Sequence, residues 1–292
     1  MTMLKPVFII FLTICCFSAK AQVVTDSLLI DGHYRIFYFN KPKGGIKNAS
    51  LVFAVHGSGG NAKDFMKNAA KLEMKSEAEN FIIVFPQGYK NYWNECRKAS
   101  TVAANLENID EEAFFSKITD YFKANYQIND QHVFASGFSG GGQMAYRMAI
   151  TMPKKFRAIS AMVANMPTTD NMDCSESKIA IATLIINGTA DPVNPYNGGE
   201  MKAAGLTLGH VRSTDESFKY WAMLSRYNGE PVKGVLPDAA PNNNISVESY
   251  TYKKKNSPEV TLLKVINGKH EFPADIDLFV ESWEFFKRQI KN

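Results

Sequence analysis

Two stretches of this chain, Leu51-Val52-Phe53-Ala54-Val55 and Phe81-Ile82-Ile83-Val84-Phe85, are apolar at every position. A strand with one wet face alternates apolar and polar residues, so an unbroken run of this length predicts a strand covered on both faces. Ile179 to Ile186 and Val260 to Ile266 read the same way, His132-Val133-Phe134 is strand-like, and Ala158 to Ala164 is a further apolar stretch. Between these runs the period changes. Phe115, Ile118 and Phe122 fall at i, i+3 and i+7, with Phe114 and Tyr121 beside them, which predicts an amphipathic helix facing a core. Helix-like stretches are also expected from about Ala62 to Glu79, Gln143 to Ile150, Glu216 to Arg226 and Asp275 to Arg288. Ser27 to Ile30 and Tyr34 to Phe39 read as edge strands around the turn Asp31-Gly32-His33, whereas residues 89–104, 192–213 and 228–245 read as loops. Strand and helix alternate, so the fold class is α/β: a mainly parallel central sheet flanked by helices, with no separate lid domain.

At 292 residues and 45% hydrophobic content the chain can bury one sizeable core, and no repeat, low-complexity run or interdomain linker divides it. The first twenty-one residues stand apart. Lys5, the apolar run Pro6 to Phe17 and the ending Ala19-Lys20-Ala21 have the form of a secretory signal, so residues 1–21 are read as a leader and 22–292 as one domain of a secreted or periplasmic protein. The apolar run is too short to span a bilayer comfortably, and bulky Ile14 and Cys15 argue against lipid attachment at the cysteines that follow them. Without Lys5 and Lys20 the formal charge falls from +4 to +2, which asks for neither nucleic acid nor an acidic membrane surface. Cys96 and Cys174 remain, free to form one disulfide in an oxidising compartment or to stay as buried thiols.

The densest chemistry lies at Gly137-Phe138-Ser139-Gly140-Gly141, a GxSxG pattern after a strand and before a helix. A serine on such a turn is lifted clear of the sheet, and glycines on either side let the backbone follow that strained path. At typical Gly and Ser usage the pattern arises by chance in roughly one chain in ten of this length, so its context carries the weight. In a parallel sheet, functional residues gather at the carboxyl ends of the strands. Ser139, Asp191 and His270 each lie just past an expected buried strand, in the order Ser, Asp, His. A serine hydroxyl needs a base to take its proton, and that base needs an acid on its far nitrogen to hold one tautomer. Of the other histidines, His33 sits in an edge turn, His132 precedes a strand, His56 comes too early for the base and His210 follows no strand. Asp170 and Asp173 rival Asp191, whose place after Ile179 to Ile186 decides for it. The glycine-rich loop His56-Gly57-Ser58-Gly59-Gly60 can offer the Ser58 amide, and the helix start the Gly140 amide, to an oxyanion. Tyr92 and Trp93 lie in a loop after a strand end, where Trp93 is the candidate substrate platform and the alternative is a pin that fastens the loop to the core. No HExxH, phosphate loop or dinucleotide fingerprint occurs, so no metal and no cofactor is expected.

From about Leu51 onward the chain resembles the α/β-hydrolase esterases grouped as feruloyl esterases and polyhydroxybutyrate depolymerases, the LpqC-like set. The resemblance is carried by His56-Gly57-Ser58-Gly59-Gly60, Phe85-Pro86-Gln87-Gly88, Trp93-Asn94, the run Gln127 to Ala149, Asn187-Gly188-Thr189-Ala190-Asp191-Pro192 with Pro195-Tyr196, and His270-Glu271-Phe272-Pro273. It implies a secreted serine esterase using Ser139, Asp191 and His270. The family often has a small residue in place of Lys269 and tryptophan in place of Phe272, so the wall near the histidine is expected to differ. Hydroxycinnamoyl or acetyl esters on plant polysaccharide are the favoured substrates. Polyhydroxyalkanoate esters come second, a peptidase third, and a catalytically silent binding protein is the reading from another class.

Overall fold

The computed structural model describes residues 22–41, 46–203 and 205–290; the expected leader, residues 1–21, lies outside them. In chain order the strands are β1 (Val23–Ile30), β2 (His33–Asn40), β3 (Ser50–Val55), β4 (Phe81–Pro86), β5 (Val133–Phe138), β6 (Ala158–Met162), β7 (Ala182–Gly188), β8 (Gly199–Ala203), β9 (Leu206–Val211), β10 (Val232–Val235), β11 (Ser246–Tyr252) and β12 (Val260–Ile266). The helices are α1 (Ala62–Phe65), α2 (Ala70–Glu73), α3 (Ala103–Leu106), α4 (Glu111–Tyr126), α5 (Gly140–Thr151), α6 (Thr214–Leu224) and α7 (Leu278–Lys287). Ten strands form one sheet in the order β1-β2-β4-β3-β5-β6-β7-β12-β11-β10. The central run β4-β3-β5-β6-β7-β12 is parallel, and antiparallel pairs close both margins.

The unbroken apolar runs are strands with both faces covered. Leu51, Phe53 and Val55 of β3 enter one core with Phe114, Phe115, Ile118 and Phe122 of α4, Met144 and Met148 of α5 and Trp221 of α6. Val52 and Ala54 enter the other, with Phe65 of α1, Leu72 of α2 and Phe279, Trp283 and Phe286 of α7. Each fully buried large side chain contributes about 1.5–3 kcal/mol, and the helices are held mainly by these faces. Their ends are set locally: Asp110 caps α4, Asp277 caps α7, and Ser213 with Glu216 forms a reciprocal capping box on α6.

Several expectations change. The stretch from 62 to 79 is not one helix, because a 3₁₀ segment, Met66–Ala69, tightens the chain between α1 and α2 and brings Met66 and Ala69 into line on the core. Residues 192–213 hold the hairpin β8–β9, and 228–245 hold β10. The hairpin folds over a small cluster of its own, Met201, Leu208 and Val211, whereas β10 is exposed at every position and exists through its antiparallel pairing with β11. The glycines of the hairpin region, several at positive φ, read as loop although they serve tight turns. Cys96 and Cys174 form a disulfide, which ties the loop after β4 to the segment after β6.

Candidate active site

Ser139 stands between β5 and α5 with φ 55° and ψ −118°, a strained conformation held by its amide bonding the Met162 carbonyl at 2.9 Å. The surrounding glycines are required by contact. A Cβ on Gly137 would fall 1.9 Å from the Gly141 carbonyl oxygen, and one on Gly141 would fall 2.1 Å from that of Val55. Such spacing lets α5 start directly against the sheet, with its positive end and unpaired first amides directed at the serine.

Asp191 follows β7 and His270 follows β12, neighbouring parallel strands. Their loops meet because Gly188 and Gly268 lack side chains: a Cβ on Gly188 would lie 2.2 Å from the Gly268 oxygen. The Ala190 amide then bonds the Gly268 carbonyl at 3.0 Å, and the Asn267 amide bonds Thr189 Oγ1 at 2.8 Å. His270 Nδ1 lies 2.7 Å from Asp191 Oδ2, and Nε2 lies 2.8 Å from Ser139 Oγ. The carboxylate is acceptor only, so it assigns the proton to Nδ1 and leaves Nε2 to accept from the serine. Asp191 Oδ1 accepts from the Val193 and Asn194 amides, each at 2.8 Å. Its side chain is 1% exposed and that of His270 is 16% exposed, so the acid is enclosed while the base faces the site.

The buried amides Asn165, Asn187 and Asn194 make the turn around Asp191 rigid. Asn187 Nδ2 bonds Asn165 Oδ1 at 2.8 Å and Thr214 Oγ1 at 2.9 Å, and Asn194 Oδ1 accepts the Asn165 amide at 3.0 Å. Sequence reasoning passed over them; the asparagines within Asn187-Gly188-Thr189-Ala190-Asp191-Pro192-Val193-Asn194 were the available signal.

Ser58 and Gly140 lie close together. A Cβ on Gly140 would lie 2.9 Å from the Ser58 nitrogen and 2.2 Å from Ser58 Oγ, so glycine is required here for the two residues to approach this closely. The loop bearing Ser58 is clamped by His56. This ring is buried, its Nδ1 lies 2.8 Å from the Gly57 carbonyl, and its Nε2 accepts the Gly88 amide at 3.0 Å. Burial pushes its pKa down to about 4, since the charged ring would lose water and the acceptor that Gly88 needs. His56 is too early to be the base, but it is a fastener that sequence reasoning left unused.

Trp93 departs from the expected platform. It is 1% exposed, its Nε1 donates to the His56 carbonyl at 2.8 Å, and its ring packs on those of His56 and Phe115. An indole N–H inside a core needs an acceptor, and that need fixes the residue as a pin of the loop bearing Ser58. Tyr92, half-buried, leans over Gly59, its hydroxyl 3.6 Å from where a Cβ would stand. A half-buried aromatic wall rises instead beside the base: Phe138 and Phe272 stack at 4.3 Å, and Phe138 lies 5.6 Å from the His270 ring. Among the described residues one cluster has metal-ligand spacing, Cys96, Asp173 and Cys174, and its sulfurs are joined in the disulfide. No helix among the described residues is long and apolar enough to cross a membrane.

A family described as phospholipase/carboxylesterase matches residues 42–219. Among curated proteins, a putative esterase, NocK, of Nocardia uniformis subsp. tsuyamanensis is 25% identical over 267 residues, covering 88% of this chain and 76% of that protein. A probable feruloyl esterase C of Aspergillus niger is 29% identical over 154 residues, covering 51% of each. The chain thus matches about half the length of that feruloyl esterase. Among solved structures, an acetyl xylan esterase from Aspergillus awamori superposes with a TM-score of 0.61 at 16% identity, covering 90% of this chain and 99% of that one, a likeness of fold.

Proposed function

The chain belongs to the phospholipase/carboxylesterase family of α/β-hydrolases, and from that premise we propose that it is a serine carboxylic-ester hydrolase in which Ser139, His270 and Asp191 are the catalytic residues. The observation that carries the reading is the hydrogen-bonded series Asp191–His270–Ser139 beside the adjacent Ser58 and Gly140 amides. Ser139 Oγ attacks the ester carbonyl while His270 Nε2 takes its proton, and Asp191 stabilises the imidazolium. The negative charge on the former carbonyl oxygen is received by the Ser58 and Gly140 N–H groups, already oriented, so the transition state gains without reorganisation. Collapse breaks the C–O bond, and the proton on Nε2 goes to the leaving alcohol. Water, deprotonated by the same nitrogen, then releases the acyl group and restores Ser139.

The substrates we propose are hydroxycinnamoyl or acetyl esters carried on plant polysaccharide. The names of the relatives support this class, and the Phe138–Phe272 stack offers an aromatic face close to the base. We further read residues 22–292 as one domain, exported after removal of residues 1–21. The Cys96–Cys174 disulfide supports an oxidising destination, and sequencing the amino terminus of protein recovered outside the cytoplasm tests it. Labelling of the folded protein by a fluorophosphonate, with the adduct mapped to Ser139, tests the mechanism. Absence of an adduct would leave a silent binding protein. Methyl ferulate, acetylated xylan, a short nitrophenyl ester and a hydroxybutyrate oligomer, ranked by kcat/KM, test the substrate class. Highest turnover of the hydroxybutyrate oligomer would overturn it.

A further inference from the structure

The strands that present the triad at their carboxyl ends border a second feature at their amino ends. A cleft of about 650 Å³ is lined by Asp130 and Gln131 before β5, Lys154, Lys155 and Arg157 before β6, Ile181 before β7, Pro258 before β12, and Arg288 with Gln289 after α7. Its volume falls within the ~300–1,000 Å³ of small-ligand sites. Strands of about six residues separate it from the triad by roughly 20 Å, so it takes no part in the chemistry there.

Its charge is one-sided. Asp130 is already paired with Lys123, and Arg288 is paired with Glu259, which also takes Lys253. Lys154, Lys155 and Arg157 have no carboxylate within ion-pair distance among the described residues. Arg157 is held in place by its Nε donating to the Gln289 carbonyl at 3.0 Å, while Lys154 and Lys155 are exposed. Pro153, Pro258 and Ile181 also line the cleft and give apolar surface for the C–H face of a ring. The three unpaired cations share the short loop between α5 and β6, and the other walls of the cleft come from the segments before β5, β7 and β12 and after α7.

We propose that this cleft is a non-catalytic binding site for a uronate-bearing polysaccharide chain, its carboxylates meeting Lys154, Lys155 and Arg157 and its sugar rings lying on the prolines. The choice of a uronate polymer rests on the polysaccharide-esterase reading above; the cleft's preference for an anion does not. Because the two sites lie on opposite rims, a chain bound here tethers the enzyme to the wall matrix while another chain occupies the triad.

The full-length protein is titrated with polygalacturonate and with neutral arabinoxylan, alongside the variant Lys154→Glu/Lys155→Glu and an equal-charge control, Lys219→Glu/Lys233→Glu. Exposed ion contacts are individually modest, so reversing two of them is expected to weaken polygalacturonate binding by about tenfold. The control is expected to bind as the unmodified protein does, and kcat/KM on a soluble nitrophenyl ester is expected to stay constant in both. Equal weakening in the control, equal binding of arabinoxylan, or tighter binding of duplex DNA than of polygalacturonate would each overturn the proposal. The titration involves no turnover, so a protein inactive on every ester would sink the esterase reading and leave this result readable.

Discussion

Two corners of the same sheet edge each hold a histidine, and only one of them is equipped to move a proton. His56 follows β3 and His270 follows β12, both at the carboxyl ends of parallel strands. The nitrogens of His56 face a backbone carbonyl and a backbone amide, partners with no proton to exchange, inside a buried site. Those of His270 face a carboxylate and a hydroxyl, with the ring open toward the site. The same imidazole therefore fastens in one place and is fit for general-base work in the other. What separates the two uses is the chemistry of the neighbours and access to solvent.

The largest expected effect breaks the His270 corner. Ser139→Ala should lower kcat by about 10⁴-fold or more with the thermal midpoint almost unchanged, since a hydroxyl is lost without touching the core. Asp191→Asn should cost roughly 10⁴-fold, because an amide can donate to Nδ1 and stabilise the wrong tautomer. A normal kcat in either variant would remove the proposed roles. Gly140→Ala should cost about 10²–10³-fold in kcat: the new methyl meets Ser58 at 2.2 Å and displaces one oxyanion donor.

Smaller effects sharpen the His56 corner. His56→Ala leaves a void and strands the Gly88 amide, and should lower stability by about 2–4 kcal/mol in denaturant melts, with a smaller loss of kcat than in the triad variants. An unchanged melt would mean that the ring fastens nothing. The same corner also gives a pH slope. The folded pKa of His56, about 4, lies below its unfolded value of 6.5, so the unfolded chain binds the proton first as pH falls. Its contribution is whole above pH 6.5 and is lost progressively down through pH 4, by about 3 kcal/mol in all. Glu73, which burial raises to about 7, acts in the opposite sense between its ordinary 4.5 and that value, so the two slopes overlap. Comparing stability against pH for the unmodified chain and His56→Leu isolates the histidine; parallel curves would refute its assignment.

The candidate triad was legible because its cues are local. Each of Ser139, Asp191 and His270 follows an apolar run whose pattern marks a buried strand, and topology puts all such ends on one rim. The use of His56 was not legible, and the choice between platform and pin for Trp93 was left open, since each depends on a partner brought from another strand end or loop. For the same reason β10 escaped notice, its stability lying in hydrogen bonds to β11 and not in any apolar pattern of its own.

By itself the order of residues determined the α/β alternation, the buried central strands and the choice of Ser139, Asp191 and His270 as candidates, because hydrophobic period and strand-end position are properties of short segments. Only the tertiary structure decided that Gly188 and Gly268 touch so that Asp191 reaches His270, that Cys96 finds Cys174, and that the far rim opens as a cationic cleft. Those outcomes depend on close approach between segments distant in the chain, which packing of the two cores against the sheet sets and no local pattern encodes.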